Sequence, residues 1–285
     1  MEVSIEKGAL YVAATPIGNL GDLSPRGRAV LAGVDRIAAE DTRRSRALLA
    51  HFDVHTPLVA LHEHNESRRS PRLVERLRAG GTLALVCDAG TPLISDPGGR
   101  LVALAHEQGV RVIPIPGPSA VICALSACGL STERFAFEGF LPARAAARRV
   151  RIESLREEVR TLIFYEAPHR LVVTLRDLTQ ILGAGRPATL ARELTKVFET
   201  IRRDTLGSLA EWVAADADQR KGEVVIVVGG VVGDREAAAG AARRVLALLL
   251  EERPLKRAVA LAAAITGEGR NRLYELALEL RGPLR

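Results

Sequence analysis

The sequence predicts an α/β protein of two domains followed by a small helical extension, and three observations predict it. Short apolar runs alternate with stretches whose apolar residues recur at helical spacing, the pattern of strands and helices layered on a largely parallel sheet. Gly- and Pro-rich loops follow directly on several of the strand-like runs. A chain of 285 residues, 47% hydrophobic, suits two cores better than one.

In chain order, Leu10–Ala14 reads as a buried strand. Ser24-Pro25 reads as an N-cap with Pro at the first helical position. Arg36–Ala39 is a weaker strand and Leu58–Leu61 another, and Leu73–Ala79 belongs to a helix that Gly80-Gly81 stops. Thr82–Cys87 predicts a strand, Gly99–Gln108 a helix and Val110–Ile115 a strand. The Pro/Gly run at Pro114–Pro118 marks a domain boundary. Beyond it, Phe135–Phe137, Thr161–Tyr165, Ala188–Ala191 and Val224–Val228 predict strands, and Pro168–Leu182 and Leu206–Ala215 predict helices. Gly229, Gly230 and Gly233 close the second unit, and Arg235–Leu280 predicts two or three helices. The expected domains are therefore 1–117, 118–233 and a basic extension at 234–285.

The formal net charge is +6, and residues 235–285 hold ten Lys and Arg against six Asp and Glu. This balance favours a phosphate-rich partner over a merely Arg-rich surface. Aromatic residues at 4% make base stacking a minor mode of binding. Three cysteines without a CxxC spacing argue against a disulfide framework or a zinc site, and predict a reducing, cytoplasmic compartment. No signal peptide and no membrane span are expected. His62-Glu63-His64 has no further ligand nearby and reads as a solvated loop, so no metal is expected.

Four loops stand after predicted strands: Thr15–Leu20, Asp88–Pro92, Pro116–Ala120 and Glu166–Arg170. Ligands of open α/β sheets bind outside the carboxyl ends of strands, and small residues let them approach the backbone. Taken together the loops predict a ligand cleft. The phosphate loop GxxxxGK[ST], the GxGxxG fingerprint and the GxSxG elbow are all absent.

The opening LYVAATPIGNLGDLSP, together with LVCDAGTPLISDPG, VIPIPGPSA, FEGFLP, LIFYEAPHRL, LARELTKVFET and RKGEVVIVV, resembles the bacterial 16S rRNA (cytidine-2′-O-)-methyltransferases of the tetrapyrrole methylase superfamily. The likeness continues through LKRAVALAAAITG and NRLYELAL in the extension. It implies the class III methyltransferase fold, S-adenosylmethionine as cofactor, a cytidine in the decoding centre of small-subunit ribosomal RNA as substrate, and a homodimer. Its donor site maps onto Pro16, Asp88, Gly90, Thr91, Ser119, Ala120, Tyr165, Leu194 and Gly222. Asp88 could instead cap the turn at Thr91 as an Asx motif, but the surrounding family pattern favours its place in the donor site. Cys87 stands where relatives often carry Ser.

Methylation of a ribose hydroxyl needs oxygen, methyl and sulfur in line, and a group to polarise or deprotonate the hydroxyl. The candidates are Arg192, Glu193 and Lys196, with Glu199 beyond, and separately Glu166 with His169. An internal ion-pair network is the competing reading of the first group. Phosphate contacts are expected from Arg43, Arg44, Arg144, Arg148, Arg149, Lys256 and Arg257. Two other functions stay open on sequence: a same-fold methyltransferase of a small molecule, and a non-catalytic ribosome-binding factor.

Overall fold

The computed structural model describes residues 4–231 and 235–281. Gly233, expected to close the second domain, lies outside the described residues. The chain divides into two compact units, Met1–Gly229 and Gly230–Arg285.

The first unit holds two sheets. The first contains β1 (Ala9–Ala13), β2 (Arg36–Ala39), β3 (Leu58–Ala60), β4 (Leu83–Val86) and β5 (Arg111–Ile115) in the order β3-β2-β4-β1-β5. Every neighbouring pair is parallel. Helices α1 (Pro25–Gly33), α2 (Thr42–His51), α3 (Glu63–Arg78) and α4 (Gly99–Glu107) make the crossovers. Alternate strand residues face opposite cores: Tyr11, Ile37 and Ala84 pack in one cluster with Val30 and Leu31 of α1, whereas Leu10, Ala38 and Leu85 pack with Leu77 of α3 and Leu101 of α4. Burial on both faces explains why these strands read as unbroken apolar runs. Ser24 caps α1, its Oγ accepting from the Gly27 N–H at 2.9 Å. Glu66 caps α4 from outside, accepting from the Arg100 N–H at 2.7 Å.

His62–His64, expected as a loop, instead open a helix. His62 is the N-cap of α3, which begins at Glu63, and the Asn65 side chain accepts from the His62 N–H at 3.0 Å. The first turns of α3 are polar and carry Pro71, so only the segment from Leu73 shows helical apolar spacing.

The second sheet contains β6 (Phe135–Phe140), β7 (Thr161–Glu166), β8 (Pro187–Arg192), β9 (Thr200–Thr205) and β10 (Val224–Val228) in the order β6-β7-β10-β8-β9. Only the β6–β7 pair is parallel; the other three are antiparallel. The expectation of a largely parallel sheet fails for this half, because β8 and β9 form a hairpin and β10 inserts between β7 and β8. Edge strand β9, TIRRDT, was hidden by its three charged residues, a composition that guards an edge against further pairing. Helices α6 (Ala145–Glu153), α7 (Leu171–Leu182) and α8 (Leu206–Ala215) cover one face around Phe164, Leu171, Leu175 and Ile226. The other face, with Ile163, Ala191 and Val225, packs on α5 (Ala120–Ala127) and on Ile17 from the loop after β1.

The second unit is three helices, α9 (Arg235–Glu252), α10 (Leu255–Thr266) and α11 (Arg270–Arg281), around Leu246, Ala258, Val259, Ala262 and Leu273. Gly267, at φ 73°, takes the left-handed conformation that ends α10. Among the described residues no helix is long and apolar enough to cross a membrane.

Candidate active site

The four Gly/Pro loops meet at one cleft of about 380 Å³ within the first unit. Ile17 arrives from the loop after β1, Ala89–Thr91 from the loop after β4, and Ser119-Ala120 from the loop after β5. From the second sheet come Phe140 at the end of β6, Tyr165–Pro168 at the end of β7, Leu194 after β8, and Glu223–Val225 at the start of β10. Because β10 runs antiparallel, its beginning lies beside the ends of β7 and β8. That reversal assembles the second wall.

The loop after β1 is fastened to the loop after β4. Thr15 and Gly90 exchange backbone hydrogen bonds of 2.8 and 3.0 Å. Gly90 has φ 85°, a conformation open to Gly at no steric cost. Thr91 donates through Oγ1 to the Pro118 carbonyl at 2.9 Å, which ties the loops after β4 and β5 together. Tyr165 stands edge-on to Phe137 and Phe140, with ring centroids 4.9 and 5.5 Å away. Burial, then the nearby Asp96 charge, pushes its phenol up to about 12, so it remains neutral.

Gly90, Thr91, Ser119, Ala120, Tyr165, Leu194 and Glu166 line the cleft. Pro16, Asp88 and Gly222 do not. Pro16 is buried beneath the loop whose next residue, Ile17, reaches the cleft. The Asp88 carboxylate faces α2, accepting from the Asp41 N–H at 3.1 Å and from Arg44 at 3.0 Å. At Gly222, φ 78°, a Cβ would overlap the Glu193 carboxyl, so this glycine makes room for Glu193.

The group Arg192, Glu193, Lys196 lies behind the cleft wall. Arg192 is buried and donates to the Phe198 carbonyl at 3.2 Å and the Thr200 hydroxyl at 3.1 Å. Lys196 Nζ bridges Glu193 Oε1 at 2.7 Å and Glu223 Oε2 at 3.1 Å, and Glu193 also accepts from the Glu223 N–H at 2.8 Å. Burial works to raise the Glu193 carboxyl, but Lys196 and that N–H outweigh it and hold it below the usual range. The same two carboxylates hold Lys196 above its ordinary value against the effect of burial. Glu166, buried, is occupied by the Ala167 N–H at 2.8 Å, the Thr174 hydroxyl, and Arg170 at 3.2 Å.

The phosphate candidates divide. Arg144, Lys256 and Arg257 are exposed. Arg43 and Arg44 are exposed but paired, with Asp41 at 2.9 Å and Asp88 at 3.0 Å. Arg149 is mostly exposed and reaches Asp177 at 2.8 Å. Arg148 is not available to phosphate: only 6% of its side chain is exposed, and it is ion-paired with buried Asp177 at 2.7 Å. At this point of α6 the helix turns inward onto α7.

Residues 9–210 match the family model of the Tetrapyrrole (Corrin/Porphyrin) Methylases, and residues 236–281 match an RsmI C-terminal HTH domain. The Ribosomal RNA small subunit methyltransferase I of Pseudomonas aeruginosa is 56% identical over 96% of this chain and 98% of its own. The protein of that name from Escherichia coli O157:H7 is 51% identical over 97% of this chain and 96% of its own.

The chain belongs to the tetrapyrrole methylases.

Solved tetrapyrrole-methylase-like structures agree in fold. A diphthine synthase covers 78% of this chain and 89% of its own at TM-score 0.61 and 17% identity. A conserved hypothetical protein from Aeropyrum pernix covers 96% of both chains at 0.62 and 19%. A uroporphyrin-III C-methyltransferase from Thermus thermophilus, solved with S-adenosylhomocysteine, covers 79% of this chain and 98% of its own at 0.55 and 17%. As a tetrapyrrole methylase this protein is a methyltransferase that uses S-adenosylmethionine.

The residues present suit that cofactor. Ile17, Ala120, Leu194 and Val225 offer an apolar shelf, and Gly90 leaves its backbone open to a ligand. Asp96, Phe140 and Glu223 were not singled out on sequence. Asp96 lies within LISDPG, the continuation of a loop already marked as cleft-forming, and its place after a strand end was the available signal. Glu223 was not findable locally, because only the antiparallel insertion of β10 brings it to the cleft.

Proposed function

We propose that this protein transfers a methyl group from S-adenosylmethionine to the ribose 2′-hydroxyl of a cytidine in the decoding centre of 16S ribosomal RNA. Near-full-length likeness to proteins named for small-subunit ribosomal RNA methylation supports the RNA substrate. The observation that carries the reading is the single cleft onto which the loops after β1, β4, β5 and β7 converge. The cofactor supplies a methyl already activated by its positive sulfur. Gly90, Thr91, Ser119, Ala120, Tyr165 and Leu194 line the cleft and would hold it, the positioning term of the catalysis.

Arg192, Glu193 and Lys196 act as positioning residues. Arg192 pins the end of the loop at Phe198, and the Glu193–Lys196–Glu223 bridge fixes Leu194 and Glu223 in the wall. A division near residue 117 separates the first sheet, which supplies the loops after β1, β4 and β5, from the second, which supplies the opposing wall.

The helical second unit, with Lys256 and Arg257 exposed, and Arg43, Arg44, Arg144 and Arg149 of the first, would follow the RNA backbone. The protein works in the cytoplasm, with three free thiols. A homodimer is the functional unit, for which exposed Leu20, Ile122, Val197 and Phe198 supply apolar surface. Sedimentation equilibrium giving a monomer at micromolar concentration would remove that part of the reading.

The test is transfer of tritiated methyl to small ribosomal subunits, with mass mapping of the product. The expected result is one methyl on the ribose of one cytidine. A methyl on a base, on a small molecule only, or on nothing would refute the reading.

A further inference from the structure

Three carboxylates border the cleft, and two of them have occupations. Glu166 is saturated by Ala167, Thr174 and Arg170. Glu223 is bound to Lys196 at 3.1 Å, with 74% of its side chain exposed. Asp96 differs. It is half-buried, it lines the cleft, and among the described residues no Lys, Arg or His forms an ion pair with it. The nearby Cys87 thiol, a weak donor, gives its hydrogen to the Ala89 and Gly90 carbonyls at 3.2 and 3.3 Å instead.

The backbone that presents Asp96 is strained. Leu93 and Ser95 have φ of 74° and 71°, in the left-handed region that residues with a Cβ seldom adopt. Two such residues just before a cleft carboxylate mark a segment shaped for where it puts a side chain rather than for ease of folding.

We propose that Asp96 is the proton acceptor of the methyl transfer. The substrate hydroxyl oxygen forms a bond to the methyl carbon, and the carbon–sulfur bond breaks with its electron pair passing to sulfur. The hydroxyl proton passes to the Asp96 carboxylate. The alcohol becomes an ether, the sulfonium a neutral thioether, and the carboxylate an acid that returns its proton to water after product release. This inference rests on the methyl-transfer reading above.

The surroundings suit the role. The titratable groups near Asp96 are Cys87 and Asp88 at the end of β4, Glu40 after β2, and Tyr165 of β7. Arg44, the neighbouring cation, is taken by Asp88. Burial first, and the Asp88 charge after it, raise the Asp96 carboxyl above the ordinary range against the pull of Cys87. A base with a raised value takes a proton more readily at neutral pH. Glu193 is shifted the other way.

The test compares wild type with Asp96→Asn, reading donor affinity by calorimetry and the pH profile of kcat on small ribosomal subunits. The expected result is donor affinity within about threefold of wild type, kcat lower by roughly 10²–10⁴-fold, and loss of the acid limb of the profile. Glu40→Gln should leave that limb in place. An Asp96→Asn enzyme with kcat within tenfold of wild type and the limb intact overturns the proposal. So does donor binding that falls in step with kcat, which would make Asp96 a donor-binding residue. If Asp96→Asn shows no cooperative thermal transition, Asp96→Glu replaces it. That variant should keep an acid limb at reduced kcat, and a wild-type kcat overturns the proposal. Failure of the wild type to methylate the subunits would refute the substrate reading instead.

Discussion

At Gly222 the presence or absence of one methyl group decides whether the loop after β8 closes. Its φ of 78° and the Glu193 carboxyl lying against its Cα leave no room for a Cβ. Gly222→Ala should expel Glu193 from the Glu223 N–H and destabilise the first unit by about 1–3 kcal/mol, read as a lowered denaturant midpoint. Arg148 sets a second prediction at this scale. Removing it leaves buried Asp177 with only the exposed Arg149 as its partner, so Arg148→Ala should destabilise by about 1.5–3 kcal/mol. Arg149→Ala, which removes the exposed partner of the same carboxylate, should change stability by less than about 1 kcal/mol. Chemical denaturation separates the two. The sequence showed both arginines as equals in a basic run; only the inward turn of α6 distinguishes them.

The loop between β8 and β9 is the element with the clearest dependence on pH. Glu193 is held below its ordinary value, so its contribution is present above about pH 4.3 and is lost as pH falls through the depressed value. Lys196 is held above its ordinary value, so its contribution is present below about pH 10.4 and is lost as pH rises through the raised value. The stability gap between wild type and Glu193→Gln should therefore be flat from about pH 5 to pH 9 and close toward zero below about pH 4. Its plateau should be of the order of 1 kcal/mol, because the pair is partly solvated. Thermal melts across this range check it. At the same scale, the β–α alternation of the first sheet was legible because each strand is buried on both faces. Strand β9 was not, because an exposed edge selects charge, and the start of α3 was not, because its first turns have no buried stripe.

For the whole molecule, affinity for RNA should be set by charge spread over both units. Each phosphate contact removed should lower the slope of log K against log salt by about one. Lys256→Ala with Arg257→Ala should thus lower it by about two, with donor affinity unchanged, as read by filter binding over a salt series. An unchanged slope would remove the second unit from the RNA footprint. Periodicity and turn chemistry, which are local, determined from the sequence the first sheet, most strands of the second, the helical tail and the four loops at strand ends. The order of the strands was decided only in three dimensions: β10 enters between β7 and β8, and this brings Glu223 and Leu194 opposite Gly90 and Asp96. Which charges are buried together was decided there as well. Both depend on contacts between residues far apart in the chain, where spacing along the sequence carries no information about distance in space.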